Sequence, residues 1–343
     1  MITTPSGQVY LATAGTLATI AVSKYADGLP LYRIEKELSR VGLDIQRTTL
    51  ANWMIKTAEL LSPIYQALHQ ALLKESVIHG DETTLQVLKE PNKKAESKSY
   101  LWAYASPEHS LTPITLFEYQ PGRAHDYPKL FLDKYAGSIM TDGYSAWCML
   151  DNVQHLGCWA HARRKFKDAL DLSPKKSGQA KQALSYIQKL YAIEKKAKNL
   201  SPDERYQLRQ KDATPILTAF YAWLEKAASN LFPKSPMGKA VGYALKQWSY
   251  LKRYVEDGLY PIDNNRVERE IHPIAVGRKA WLFSDTQSGA NASAVLFSIM
   301  LTCRANNVEP YVYLLHVLTE LPQREVGCDV SDLLPYSNRP VKS

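Results

Sequence analysis

Apolar residues recur at helical spacing over residues 29–41 and 48–73, and Gly42-Leu43-Asp44 separates the two stretches. A short Gly-containing turn between helices is the signature of a helix-turn-helix, with Thr48 or Thr49 placed to cap the second helix. Two helices packed on a neighbouring domain would leave the same pattern. From Ser76 the period shortens to that of strands, over 77–87, 99–105 and 111–119, which predicts an antiparallel meander. A short helix over 124–134 leads to a strand at 138–141, then directly to Asp142-Gly143 and a further short run at 153–158. That alternation predicts a mixed α/β sheet.

Helical spacing returns from 162 to 257, in lysine-rich stretches punctuated by Pro174, Pro202, Pro215, Pro233 and Pro236. Val241, Ala244, Leu245, Trp248, Leu251 and Val255 form one apolar stripe, with Gly258 following as a C-cap. A helical unit therefore interrupts the α/β domain. Beyond it, 263–271 reads as a helix start capped by Asp or Asn, 292–306 as a helix with a small apolar face, and the tail from Pro322 as loose. The expected division is a helical unit over 1–75, an α/β core over 76–169 and 258–321, a helical insertion over 170–257, and a tail over 322–343.

Composition narrows the function classes. With 45% apolar and 22% charged residues, the 343-residue chain has the make-up of a globular protein with a sizeable core. No apolar run approaches the roughly 18 residues of a membrane span, and the first 20 residues carry no basic segment of a secretory signal, so a cytoplasmic protein is expected. Cys148, Cys158, Cys303 and Cys328 are scattered and form no C-x-x-C pair, which argues against a disulfide framework and a zinc ribbon. A net charge of +8 suits a polyanionic partner. No P-loop, dinucleotide-binding G-x-G-x-x-G or G-x-S-x-G elbow is present.

Three carboxylates stand where chemistry is plausible. Asp81 sits inside a predicted strand, pointing opposite to Glu82, where an acid buried unpaired would cost several kcal/mol. Asp142 follows a strand directly, with Gly143 permitting a sharp turn. Glu268 lies about one turn into a helix beside Arg266, Arg269, Arg278 and Lys279, residue types that bind phosphate, while Glu270 faces another side of that helix. Taken singly, each acid is also explained as a bulge residue, a turn residue or a helix-dipole partner. Three hard oxygen ligands on separate elements are the donor set of two-metal phosphoryl transfer. The run from Cys158 to Phe166 holds Cys158 and His161, three apart as in half a zinc site, followed by Arg163, Arg164 and Lys165, a basic helix edge suited to DNA backbone.

These segments resemble the DDE transposases of the insertion-sequence 66 family. The resemblance is carried in order by Ala21-Val22-Ser23-Lys24-Tyr25-Ala26-Asp27-Gly28-Leu29-Pro30-Leu31-Tyr32-Arg33, Thr49-Leu50-Ala51-Asn52-Trp53-Met54, His79-Gly80-Asp81-Glu82-Thr83 and Thr141-Asp142-Gly143-Tyr144. It continues through the Cys158 run, Asp263-Asn264-Asn265 with Glu268-Arg269, and Gly277-Arg278-Lys279-Ala280-Trp281-Leu282-Phe283. It implies an RNase H-like core with Asp81, Asp142 and Glu268 as the catalytic, metal-binding triad, and a helical insertion between the second Asp and the Glu. It further implies Mg²⁺, for which Mn²⁺ can substitute, and DNA as partner at element ends and target. A nucleoid-associated homo-oligomer and accessory proteins of the same element are expected with it.

Family members carry an N-terminal extension with a cysteine-rich zinc-binding module, whereas Met1 here stands almost at the transposase core, and Tyr336 takes the place of a common Trp. The expected activity is phosphodiester hydrolysis and strand transfer. The alternatives are a non-catalytic DNA-binding remnant and another RNase H-like nuclease.

Overall fold

The computed structural model describes residues 2–3, 9–10, 12–172 and 178–337, so Pro174 and the last six residues lie outside the described residues. The chain divides into two compact units, Met1–Tyr135 with Arg266–Ser343, and Ala136–Asn265.

The first unit opens with an antiparallel ribbon of β1 (Ile2–Thr3) and β2 (Val9–Tyr10). Helices α1 (Ala14–Tyr25), α2 (Leu31–Arg40), α3 (Arg47–Leu60) and α4 (Ser62–Leu72) follow. The single helix expected over 48–73 is two, because Pro63 in the first turn of α4 cannot donate to the preceding turn. Neither Thr48 nor Thr49 caps α3. Its N-cap is Gln46, and the Arg47 amide is met by Glu35 Oε1 at 2.8 Å. Leu50, Met54 and Thr57 of α3 are buried, and α2 packs on α3.

The meander forms as expected. β3 (Val77–Lys89), β4 (Lys98–Ala105) and β5 (Thr115–Gln120) pair antiparallel in sequence order, followed by the short α5 (Asp126–Phe131). On one face Glu82, Trp102 and Glu118 stand in register. Tyr104 on that face stacks on Phe131 with centroids 3.8 Å apart, and the Glu82 carboxylate takes Arg123 Nε at 2.7 Å. Glu118, near Tyr104 and Tyr65, accepts from Gln120 at 2.7 Å, and burial pushes its carboxyl up to about 7.

The second unit contains β6 (Ser138–Thr141), the short α6 (Ser145–Cys148) and β7 (Gln154–Gly157), with β6 and β7 parallel in register Ser138↔Gln154 to Thr141↔Gly157. It continues with α7 (Trp159–Asp171), α8 (Gln179–Ala197), α9 (Pro202–Leu208), a π-helical turn at Arg209–Ala213, α10 (Thr214–Ala228), α11 (Pro236–Lys246) and α12 (Trp248–Leu251). Pro202, Pro215 and Pro236 each open a helix, where a missing N–H costs nothing. The core is aromatic: Phe220 stacks on Tyr186 at 4.9 Å and meets Trp248 edge-on at 5.9 Å. Arg209, only 1% exposed, has its charge matched by a two-point bond to Glu194 at 2.9 and 2.7 Å and donates to the carbonyls of Tyr254 and Asp257. The apolar stripe expected as one helix is broken at Gln247 into α11, α12 and a 3-10 turn over Lys252–Val255. Gly258 is no helix cap; a Cβ there would lie 1.8 Å from the Pro202 carbonyl oxygen, so its role is close backbone approach.

The chain then returns to the first unit through α13 (Asn265–Trp281), β8 (Ser284–Thr286), α14 (Gln287–Ala305) and α15 (Pro310–Glu320). β8 pairs with β3 in parallel, which makes the sheet of this unit a mixed one and bears out the α/β class. α14 covers the edge of β5. The Phe117 amide donates to Ser298 Oγ at 2.7 Å, Thr302 Oγ1 both accepts from the Thr115 amide at 3.1 Å and donates to its carbonyl at 3.0 Å, and Asn306 Nδ2 reaches the Pro113 carbonyl at 2.7 Å. Four helical residues rise about 6 Å and two strand residues about 6.8 Å, so a polar group every fourth position meets every second strand residue. The tail expected to be loose is packed as far as the described residues go: Leu333 and Leu334 are buried, and Tyr313 donates to the Leu333 carbonyl at 2.8 Å.

Thr302→Val keeps shape but strands two buried backbone groups of Thr115, and is expected to lower unfolding free energy by about 3 kcal/mol, read by denaturant titration. Glu118→Gln tests the raised carboxyl. A folded-state pKa above the unfolded one costs stability as pH rises past the unfolded value, so the variant should be more stable than wild type by about 2 kcal/mol at pH 8. The gain should shrink as pH falls through 7 and vanish below the ordinary glutamate pKa, which melting curves at pH 4 to 8 will check.

Candidate functional site

Asp81 stands in β3 opposite Ala103 of β4. The strand begins with four buried residues, then Asp81, Glu82, Thr83 and Thr84 are all half-buried before alternation resumes. A carboxylate in this stretch keeps part of its hydration, which lowers the desolvation cost a fully buried strand position would impose. Asp81 Oδ1 accepts the Glu82 amide at 2.8 Å, which fixes the carboxylate's orientation. Glu82 faces the other way, into its ion pair with Arg123.

Glu268 lies in the first turn of α13, half-buried, in the same unit as Asp81. Its neighbours are sorted by burial. Glu270 is 6% exposed and holds Arg266 through one oxygen and Arg304 of α14 through the other at 2.8 Å. Both of its oxygens are thereby committed to arginines. Arg269 pairs with Glu108 at the surface.

Asp142 belongs to the second unit. It leaves β6 in a turn closed by its own side chain, Oδ1 accepting the Tyr144 amide at 2.8 Å. Gly143 has φ +85°, a conformation that favours glycine, and a Cβ there would lie 2.8 Å from the flexible end of the Gln247 side chain. Tyr243 of α11 donates to the Asp142 carbonyl at 2.9 Å. The helical region therefore buttresses the Asp142 turn, a role for Tyr243 and Gln247 that no sequence signal announces.

Cys158 and His161 lie at the start of α7. Cys158 is 1% exposed and its Sγ accepts the Asn264 amide at 3.2 Å. The possible ligand atoms of Cys158 and His161 come within 4.8 Å of each other. The approach of neighbouring chain is close here: Trp159 donates its amide to Ile262 at 3.1 Å and its indole to Leu251 at 2.8 Å, and a Cβ on Gly157 would lie 2.8 Å from the Leu251 nitrogen.

The cations named from sequence divide into two kinds. Arg163, Arg164, Lys165 and Lys279 are exposed. Arg266 is turned inward to Glu270, Arg269 is engaged by Glu108, and Arg278 bonds to Thr83 and Thr84 of β3.

Residues 10–292 match the family described as the IS66 family of transposases, and residues 298–336 match the IS66 C-terminal element. Three proteins of Sinorhizobium fredii (strain NBRC 101917 / NGR234) are similar over nearly the whole chain. They are the uncharacterized proteins y4qI (32% identical, 96% of this chain), y4jD (29%, 95%) and y4hP (27%, 93%). The chain spans 63%, 66% and 61% of their respective lengths. No helix among the described residues is long and apolar enough to cross a membrane. The mixed α/β architecture is consistent with an RNase H-like transposase fold, and the ordered matches show that this chain belongs to the IS66 transposase family.

Proposed function

We infer that this chain is a DNA transposase that hydrolyses phosphodiester bonds at element ends and joins the freed 3′-hydroxyl to target DNA. The observation that carries this reading is the family match over residues 10–292, which contains Asp81, Asp142 and Glu268 in order. Their chemistry fits a hard divalent ion. All three are oxygen donors in half-buried positions, and the two aspartates have one oxygen already oriented by a backbone amide. Bound Mg²⁺ or Mn²⁺ would supply charge neutralisation and an activated attacking oxygen.

The protein's own residues do the rest. Asp81, Asp142 and Glu268 hold the metal ions, and Tyr243 and Gln247 keep the Asp142 turn in shape. Exposed Arg163, Arg164, Lys165 and Lys279 contact phosphates, where in-line displacement is mainly positioning and charge stabilisation. DNA is the partner, and self-association on paired ends and accessory proteins of the same element belong to this reading. Cys158 and His161 act in support, with Cys158 fixing the approach to α13 through the Asn264 amide.

Asp81→Asn, Asp142→Asn and Glu268→Gln are each expected to lower Mg²⁺-dependent cleavage and strand transfer on element-end DNA by on the order of a thousandfold, with DNA affinity retained. Activity that survives all three substitutions would sink the triad. Wild-type protein that binds DNA in a salt-sensitive manner yet cleaves nothing under Mg²⁺ or Mn²⁺ would favour the DNA-binding remnant instead.

The two glutamates of α13 should separate cleanly. Glu270→Gln leaves Arg266 poorly paired in a buried site and is expected to cost about 3 kcal/mol of stability. Glu268→Gln should leave the melting temperature within a few degrees of wild type while abolishing cleavage.

A further inference from the structure

Arg278 reads as a phosphate contact by its company in the sequence, yet its guanidinium is engaged within the protein. Nη1 donates to the Thr84 carbonyl at 2.5 Å, to Thr84 Oγ1 at 2.9 Å and to Thr83 Oγ1 at 3.2 Å. Those acceptors stand two and three residues past Asp81, inside the half-buried stretch of β3.

The surrounding chain reinforces this tie. Directly after α13 the chain turns at Leu282, with φ +63°, into β8, which pairs with β3 at Val87 and Lys89. The Arg278 side chain and the β8 backbone thus grip the same strand at successive positions. α13 also gains from more than one anchor, because Pro273 inside it removes an intrahelical bond. The N-terminal half, with Glu268, is held to α14 through Glu270 and Arg304. The C-terminal half is held to β3 through Arg278.

The geometry points to Arg278 as a positioning residue: it fixes the strand of Asp81 against the helix of Glu268, and it does not serve as a phosphate ligand. This rests on the reading of Asp81 and Glu268 as metal ligands. A single nitrogen, Nη1, reaches a carbonyl and two hydroxyls of adjacent residues, at the end of a side chain one bond longer than that of lysine, so the lysine ammonium falls short of these acceptors.

The test uses the full chain as wild type, Arg278→Lys, Arg278→Ala, Thr83→Val and Asp81→Asn, each checked for folding by circular dichroism. Mn²⁺ affinity is measured without DNA by electron paramagnetic resonance, and DNA affinity is measured as a function of salt. Both Arg278 variants are expected to weaken Mn²⁺ binding by about tenfold, the usual cost of losing an outer partner of a metal ligand. Thr83→Val, which alters no charge, should shift Mn²⁺ affinity in the same direction, and the salt slope of DNA binding should match wild type throughout. Should Arg278→Ala not fold, Arg278→Lys and Thr83→Val carry the test.

A salt slope reduced by about one in Arg278→Ala and restored in Arg278→Lys, with Mn²⁺ affinity unchanged, would overturn the proposal in favour of a phosphate contact. Mn²⁺ affinity unchanged in Asp81→Asn overturns the metal-site reading, and this inference with it. Weakened Mn²⁺ binding in Asp81→Asn beside wild-type affinity in the Arg278 variants overturns this inference alone.

Discussion

The first unit depends on how the free edge of β5 is satisfied. An edge strand presents alternate amides and carbonyls that must find partners if they are buried. Here they find Ser298, Thr302 and Asn306, spaced four apart on α14. This helix comes late in the chain, and the strand it covers comes before the second unit begins. Bonding between them closes the first unit over a long excursion of sequence, whose loop-closure entropy grows only slowly with length. Apolar packing accompanies the polar ladder, since Phe297 meets Tyr25 edge-on at 5.0 Å and Phe117 at 6.5 Å. The hydroxyls set the register and the rings supply the burial.

The candidate acids are governed by local constraints. Asp81 occupies a stretch where the strand is half-open, and Asp142 sits in a turn whose next residue, Gly143, has the positive φ that favours glycine. Close backbone approach recurs at Gly157 and Gly258. In each case a missing side chain lets one segment pass against another, Gly157 against Leu251 and Gly258 against Pro202, while hydrogen bonds of Trp159 with Ile262 and of Cys158 with Asn264 join the β7–α7 junction to the 262–264 segment. Asn264, fully buried, donates its amide to Cys158 just ahead of the helix that carries Glu268.

Much of this was legible in the sequence, for physical reasons that can be named. The strands of the meander announced themselves by period, and α14 by its small apolar face. Asp81 and Glu82 were separable by strand alternation alone, and Glu268 and Glu270 by helical angle. Elements set by tertiary contact were not legible. The break at Gln247 leaves the apolar stripe intact as a pattern, so periodicity runs straight through it. Gly258 looks like a cap because glycine serves both caps and close approaches, and only the Pro202 carbonyl distinguishes them. The tail from Pro322 lacks periodicity, yet Leu333 and Leu334 find buried places through single contacts instead of a regular face. The buttressing of Asp142 by Tyr243 links residues about a hundred apart, which no local rule reaches.

Charge is the property most easily misjudged from sequence. A net charge of +8 counts every arginine alike, but a guanidinium that holds a carboxylate or a strand carbonyl inside the fold has fewer donors to offer a phosphate. Arg209, Arg266 and Arg278 are of that kind. The exposed run Arg163, Arg164 and Lys165 consists of consecutive helical residues, which point in different directions and cannot form one face. Their environments differ accordingly: Arg164 lies against His161, while Lys165 Nζ stands 5.8 Å from the ring of Tyr243. Tyr243 is the residue whose hydroxyl holds the Asp142 carbonyl. Lys165 and Arg164 thus both act on the tyrosine that holds the Asp142 turn, so the run gathers charge there without presenting a single face.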